Sequence, residues 1–218
     1  MRKVAILCPA YDAKVHCNFS LAIAEVFRLA AYLKGLSLHL NYLMHESILE
    51  RARNHLLQDA FEAGMDDFIF IDVDQSFEPE AFFAVLNHQV DAVALPVRMK
   101  DEEERYNIRP EDMSHHIYDP WLGLLEVKSI GTGFFRLSRN AVQYLMDTAT
   151  PYLEGMVTRK RMFETTVFDN GYVSEDIQLC NKLIAGGFKV YADINHTCTH
   201  YGNKTFTGDF ANYYRRQQ

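Results

Sequence analysis

The sequence predicts one α/β domain built on a mostly parallel sheet with helices on both faces. Three observations carry that prediction. Short apolar runs alternate with amphipathic helical stretches through the first hundred residues, in the order β-α-β-α-β-α-β. The junctions carry helix-start and helix-stop residues rather than long polar linkers. No compositional break divides the 218 residues, a length that suits one large domain.

Taken in order, residues 4–8 form an apolar run ended by Pro9, which suits a buried strand. Asn18 or Ser20 is placed to cap a helix whose apolar face uses Leu21, Ala24, Val26, Phe27, Ala30 and Leu33, with Gly35 closing it. Leu36, Leu38 and Leu40 alternate with Ser37, His39 and Asn41, a strand buried on one face. Ser47-Ile48-Leu49-Glu50 reads as a capping box, and the helix it opens runs through Ala52, Leu56, Leu57 and Ala60 to Gly64. Residues 68–71 are a third buried strand, Pro79 sits in the first turn of the next helix, and residues 93–95 give a fourth strand. The second half is more mixed. Residues 101–120 are polar and turn-rich, a long loop and so a functional candidate. Strands are expected at 124–127 and 134–137, a helix after Ser138, a last helix from Ser174 to Gly186-Gly187, and a strand at 188–192. There is no internal repeat.

Composition excludes several classes. With 48% hydrophobic, 13% aromatic and 23% charged residues the chain is a packed globular protein, not a disordered one. No apolar run approaches the roughly 18–20 residues that span a bilayer, and the run after Met1-Arg2-Lys3 is too short for a signal peptide. Cys8, Cys17, Cys180 and Cys198 form no C-x-x-C pair, so a reduced, cytoplasmic protein is expected rather than a zinc ribbon or disulfide scaffold. The net charge of −7 argues against nonspecific coating of nucleic acid, while leaving room for a local basic patch.

In an open α/β sheet, ligands gather at the carboxyl ends of the strands. The third strand ends in Asp72-Val73-Asp74. Residues two apart in an extended chain point the same way, so both carboxylates can converge on one cation; hard oxygen ligands suit Mg²⁺ or Mn²⁺, which bind diphosphate oxygens. The plain alternative is a pair of turn acids. Ser174-Glu175-Asp176 opens the last helix. Serine is a good N-cap and first-turn acids gain about 0.3–1 kcal/mol from the helix dipole, which needs nothing from function. An acid there also suits a general base that takes a proton from an incoming hydroxyl. His200-Tyr201-Gly202 follows a strand-like stretch; a lone histidine is more often a polar surface or satisfied core residue, and becomes a ligand only if it joins Asp72 and Asp74.

Ala52-Arg53-Asn54 on a helix, Asp72-x-Asp74, Gly131-Thr132-Gly133-Phe134, Ser174-Glu175-Asp176 and His200-x-Gly202 stand in one order along nearly the whole chain. Together they resemble the GT-A-fold glycosyltransferases, in particular the family 2-like enzymes that use nucleotide-sugar donors. The tail His200-x-Gly202-x-x-x-Phe206-x-Gly208-Asp209 is similar to compact phage and bacterial members. The Q-x-x-R-W motif of processive synthases is absent.

The resemblance implies a Rossmann-like nucleotide-diphospho-sugar transferase fold over 1–218, with 1–100 the nucleotide-sugar-binding half and 101–218 the acceptor-binding and catalytic half. It implies a metal-dependent hexosyltransferase, with UDP the default nucleotide and Mn²⁺ or Mg²⁺ the cofactor. Asp74 would be the direct ligand, Asp72 would lie nearer the ribose or metal, and His200 would be the third ligand. Ser76 stands where an extended motif has another acid. Arg53 and Asn54 would face the nucleotide or its diphosphate, and Pro9, Tyr11 and Asp12 would line the nucleoside pocket. Gly131, Thr132 and Gly133 would let the backbone approach donor sugar and acceptor, a role that competes with that of turn glycines. Asp176 would be the base of an inverting displacement, and Glu175 its neighbour, contacting acceptor or water.

Three rivals remain. A sugar-nucleotide nucleotidyltransferase usually carries a glycine-rich loop after the first strand, and residues 8–14 contain no glycine. A metal-dependent hydrolase and an inactive nucleotide-sugar-binding module are the others. The acceptor is open: a modified base in DNA stands beside surface glycans and small metabolites. Arg98 with Lys100, and Arg159-Lys160-Arg161, are basic groups that could track phosphates, with Trp121 or Tyr118 stacking on an extruded base; solvated basic turns are the simpler reading.

Overall fold

The computed structural model describes residues 1–110, 118–119, 121–168 and 171–217. The first half runs β1 (Arg2–Ala10), α1 (Cys17–Ala30), β2 (Leu36–Met44), α2 (Leu49–Glu62), β3 (Asp67–Ile71), β4 (Gln75–Ser76), α3 (Pro79–Asn87) and β5 (Ala92–Ala94). The expected alternation is present, with the short β4 added. The second half adds β6 (Ile108–Pro110), β7 (Tyr118–Asp119), β8 (Leu124–Ile130), β9 (Phe134–Ser138) and α4 (Arg139–Thr148). Two hairpins follow, β10 (Pro151–Glu154) with β11 (Val157–Lys160), and β12 (Thr166–Phe168) with β13 (Gly171–Val173). The chain then forms α5 (Glu175–Ala185), β14 (Val190–Asp193), β15 (Thr199–Tyr201), β16 (Thr205–Phe206) and α6 (Phe210–Arg215). Positions 111–117 and 120 of the expected long loop lie outside the described residues.

The main sheet has the order β2-β1-β3-β9-β5-β14-β8-β6, with β7 on β8, so both halves of the chain contribute to it. The pairs β1–β2, β1–β3 and β5–β14 are parallel. β9 runs antiparallel between β3 and β5, and β8 antiparallel to β14 and β6. The sheet is therefore mixed, with β8 and β9 reversed.

Strand alternation divides the core between the two faces. Ala5, Leu7, Phe68 and Phe70 pack on one side with Leu56 and Leu57 of α2, Val142 and Leu145 of α4, and Leu179 and Leu183 of α5. Val4, Ile6, Ile69 and Ile71 pack on the other with Phe19, Ile23 and Val26 of α1 and Phe82 and Val85 of α3. Beneath β3, buried Asp67 accepts from Arg136 through Nε (2.9 Å) and Nη2 (2.6 Å), and from Arg2 Nε at 2.6 Å.

Tertiary partners overrule several local signals. Pro9 lies inside β1 rather than ending it; β3 pairs with β1 only through Leu7, so the proline falls where the strand has one neighbour. α1 is capped not by Asn18 or Ser20 but by His16, whose Nδ1 accepts from the Asn18 N–H at 3.2 Å. His16 is itself fixed by its N–H on the Val73 carbonyl and by stacking on Tyr201 at 3.9 Å. The buried stripe is accordingly Phe19, Ala22, Ile23, Val26 and Ala30, leaving Leu21 and Leu33 exposed. The capping box does not form: α2 has Ile48 at its cap, and Glu50 instead accepts from the Thr165 N–H and hydroxyl. α6, capped by Asp209 on the Asn212 N–H, follows what was expected to be the last helix. All four cysteines are free; Cys8, Cys180 and Cys198 are buried and Cys17 is exposed. No helix among the described residues is long and apolar enough to cross a membrane.

Candidate active site

A cleft of about 330 Å³ opens where β3, the 97–100 segment, the 131–133 link, the start of α5 and β15 meet. The small sheet β16-β15-β4 pairs His200 with Gln75, which brings the histidine beside the end of β3. Arg53, Asp72, Gly131, Thr132, Gly133, Glu175, Asp176 and His200, eight of the expected site residues, line this cleft.

Arg53 of α2 is 3% exposed. Its Nη1 donates to Glu175 Oε1 at 2.6 Å and its Nη2 to Asp72 Oδ1 at 3.3 Å, while Nε has no hydrogen-bond partner among the described residues. Glu175 is therefore the carboxylate that fixes Arg53. Burial raises the Asp72 carboxyl above its usual range; Arg53 opposes the shift and the Asp74 charge adds to it. Burial also works against ionisation of Asp74, but the neighbouring His200 and Lys100 outweigh it and bring the group to about 2. Lys100 Nζ lies 2.5 Å from Asp74 Oδ2, and His200 Nε2 lies 3.5 Å from Asp74 Oδ1. His200 Nδ1 is 2.9 Å from the Arg98 carbonyl, which only accepts, so Nδ1 carries the proton and Nε2 is the atom turned to Asp74.

The donors fit a hard divalent ion in kind: a carboxylate and an imidazole whose other nitrogen is oriented by a backbone carbonyl. Among the described residues no group of three or more His, Cys, Asp or Glu side chains is placed to hold a metal ion, so Asp72, Asp74 and His200 do not come together as a three-ligand set. Mg²⁺-type ions are commonly held by one or two carboxylates together with substrate phosphates, so a closed protein cage is not required.

Asp176 is buried, and its two oxygens accept from three donors. Oδ1 accepts from the Ser174 hydroxyl and from the Ile177 N–H at 2.7 Å, and Oδ2 from Asn107 Nδ2 at 2.8 Å. Ser174 occupies the N-cap position of α5 but turns its hydroxyl to Asp176 instead of capping. A carboxylate has about four acceptor positions, so one remains for an incoming hydroxyl.

Neither Gly131 nor Gly133 has a positive φ, so although residues 132–133 form a turn, no left-handed backbone requires glycine at either position. Space decides instead. A Cβ on Gly133 would stand 2.3 Å from Gln75 Nε2 and 3.0 Å from Asp72 Oδ2, whereas one on Gly131 would meet nothing nearer than Asn107 Nδ2 at 3.4 Å and Cβ at 3.6 Å and Asp176 Oδ2 at 3.7 Å.

Other expectations place elsewhere. Asn54 does not face the cleft: it donates to the Phe163 carbonyl (2.8 Å) and accepts from the Phe163 N–H (2.7 Å), pinning that segment to α2. Pro9, Tyr11 and Asp12 do not line the cleft either; Tyr11 is exposed and Asp12 pairs with Lys14. Arg159 pairs with Asp59 and Arg161 with Glu164, and Trp121 is 94% exposed away from the cleft. Six lining residues were not expected as site residues: the polar Gln75, Arg98, Lys100 and Asn107 and the apolar Val97 and Met99. Asn107 lies in the loop singled out by its length, and Arg98 and Lys100 were visible only as charge.

No protein-family model and no curated protein sequence matches the chain. Solved structures do. A197 from STIV is similar at 16% identity with a TM-score of 0.56, over 93% of this chain and 86% of that one. Inositol-1-phosphate CTP transferase from T. maritima is similar at 10% identity and TM-score 0.47, over 92% and 89%. A mutant Drosophila β1,4-galactosyltransferase 7, in complex with manganese, UDP-Gal and xylobiose, is similar at 16% identity and TM-score 0.45, over 100% and 74%. At such identities the likeness is one of fold, and the match to A197 carries it: an α/β fold with a mixed central sheet. Nucleotidyl and glycosyl transferases are among the structures that this chain resembles.

Proposed function

We propose that the chain transfers a sugar from a nucleotide diphosphate sugar, with UDP the first nucleotide to test, to an acceptor hydroxyl with inversion. One observation carries this reading: Asp176, held by three donors with an acceptor position to spare, shares a single cleft with Arg53, Asp72 and Lys100, and Asp74 stands just outside that lining, paired with Lys100. In the scheme Asp176 accepts the acceptor's proton as its oxygen forms a bond to the anomeric carbon. The bond from that carbon to the diphosphate breaks, and its electron pair leaves with the diphosphate. The Arg53 guanidinium and the Lys100 ammonium, both lining the cleft, supply positive charge to that leaving group. Asp74 and His200 would hold Mn²⁺ or Mg²⁺, which when bound supplies Lewis-acid stabilisation of the diphosphate. Residues 1–100 then provide most of the donor side, and Asn107, Gly131–Gly133 and Glu175–Asp176 the catalytic side.

Asp176→Asn tests the assignment. The amide keeps the shape but cannot take the proton, so turnover should fall roughly 10²–10⁴-fold while donor binding, read by calorimetry, stays within about threefold. Near wild-type turnover would reduce Asp176 to a helix-start acid. Release of free sugar from donor alone, as fast as any transfer, would favour the hydrolase.

A further inference from the structure

Lys100 reaches Asp74 along a route the chain keeps open. Its segment is pinned by bridges from Val97 to Cys198 and from Arg98 to Tyr106. Its stem passes over Gly202, where a Cβ would stand 3.2 Å from Lys100 Cδ and 3.5 Å from Cε. The Arg98 carbonyl on the same segment orients His200. His200 and Gly202 therefore converge on the same carboxylate, one beside it and one under the lysine that binds it.

We propose that the Lys100 ammonium competes with divalent cations for Asp74, so that the protein alone binds such an ion weakly and the ion binds well only together with a diphosphate. The reasoning is one of charge. Asp74 Oδ2 already has a full positive charge at 2.5 Å, and a divalent ion taking that oxygen must displace it. A diphosphate offers the released ammonium a second anion, and its own oxygens complete the ion's shell. Ion and nucleotide binding are then coupled, each strengthening the other by the same factor. The inference rests on the donor reading above for the identity of the diphosphate, but the competition itself involves only Lys100, Asp74 and the ion.

Mn²⁺ alone, titrated into the full chain and followed by the loss of its free-ion electron paramagnetic resonance signal, tests it. Lys100→Met should bind Mn²⁺ about 2–5-fold more tightly than wild type, the range expected for losing a half-exposed ion pair. Lys100→Arg should stay weak, and Asp74→Asn in the Lys100→Met background should erase the gain. Thermal melts establish that each variant is folded. Equal Mn²⁺ affinity in wild type and Lys100→Met, or a gain that survives Asp74→Asn, overturns the proposal. Repeating the titration with UDP, GDP and pyrophosphate separates the two readings. If none of them binds while the Lys100→Met gain appears, the donor reading falls and the competition stands.

Discussion

Replacing Gly133 with alanine is the sharpest test of how the cleft floor is built. The added methyl would lie 2.3 Å from Gln75 Nε2, 3.4 Å from its Cδ and 3.0 Å from Asp72 Oδ2. Gln75 is 1% exposed, so its amide has no open space to retreat into, and the Asp72 backbone is tied by its N–H to the Gly133 carbonyl at 2.9 Å. Overpacking of this kind costs about 1–3 kcal/mol. For a chain of this length that is a fall of roughly 2–12 °C in melting temperature. Gly131→Ala is the internal control, because its methyl makes ordinary contacts at 3.4 and 3.7 Å and should shift melting by less than about 2 °C. The assay is calorimetric melting of both variants beside wild type, followed by a UDP titration with Mn²⁺. Gly133→Ala should also weaken nucleotide binding, because Asp72 moves with Gln75. Equal melting of the two variants, with unchanged UDP affinity in Gly133→Ala, would refute the packing argument.

Two further predictions lie outside the cleft floor. Asn54→Ala strips both partners from the buried Phe163 backbone and should cost about 2–4 kcal/mol in urea unfolding; a loss under about 1 kcal/mol would show the segment is held by other contacts. The buried Asp193 carboxylate is bonded to His88 (2.9 Å) and His196 (3.0 Å), with the Asn195 N–H on its other oxygen and Glu80 acting on His196. Burial opposes its ionisation, yet the two histidines bring Asp193 to about 2, so its contribution of about 2 kcal/mol is present above pH ~3.8 and lost as pH falls through ~2. His196 is shifted up by the bond to Asp193, so its contribution is complete below about 6.5 and disappears as pH rises through the folded value. His196→Gln should thus melt below wild type at pH 5.5 and converge with it by pH 9; a gap that does not change with pH would disprove this.

The order of elements was legible because buried strands and one-sided helices leave periodic traces, as residues 68–71 and the α2 stripe show. The hairpins β10–β11 and β12–β13 left none: Leu153, Met156, Val167 and Tyr172 are exposed apolar residues, so no face repeats. Asp72 and Asp176 were found by their positions at a strand end and a helix start. Asn54, Pro9, Tyr11 and Asp12 came from the motif pattern alone, and the tertiary contacts send them elsewhere. Gln75, Asn107 and Lys100 are ordinary polar residues until folding supplies their partners; Lys100 meets its carboxylate 26 positions away, and Asn107 meets Asp176 across 69.

The thiol distribution turns the native chain into its own reporter. Burial, with the Asp72 charge adding to it, raises the Cys8 and Cys198 thiols well above their usual range, and burial raises Cys180 to about 12, so these three stay protonated and shielded from alkylating reagents. Cys17 alone among the four is exposed, one residue from His16, whose ring stacks on Tyr201 next to His200. A maleimide fluorophore added to the unmutated protein would therefore sit on α1 at a single position, one residue from the His16 ring that stacks on Tyr201 of β15. Ligand-driven movement of β15 becomes readable by fluorescence without engineering a single cysteine.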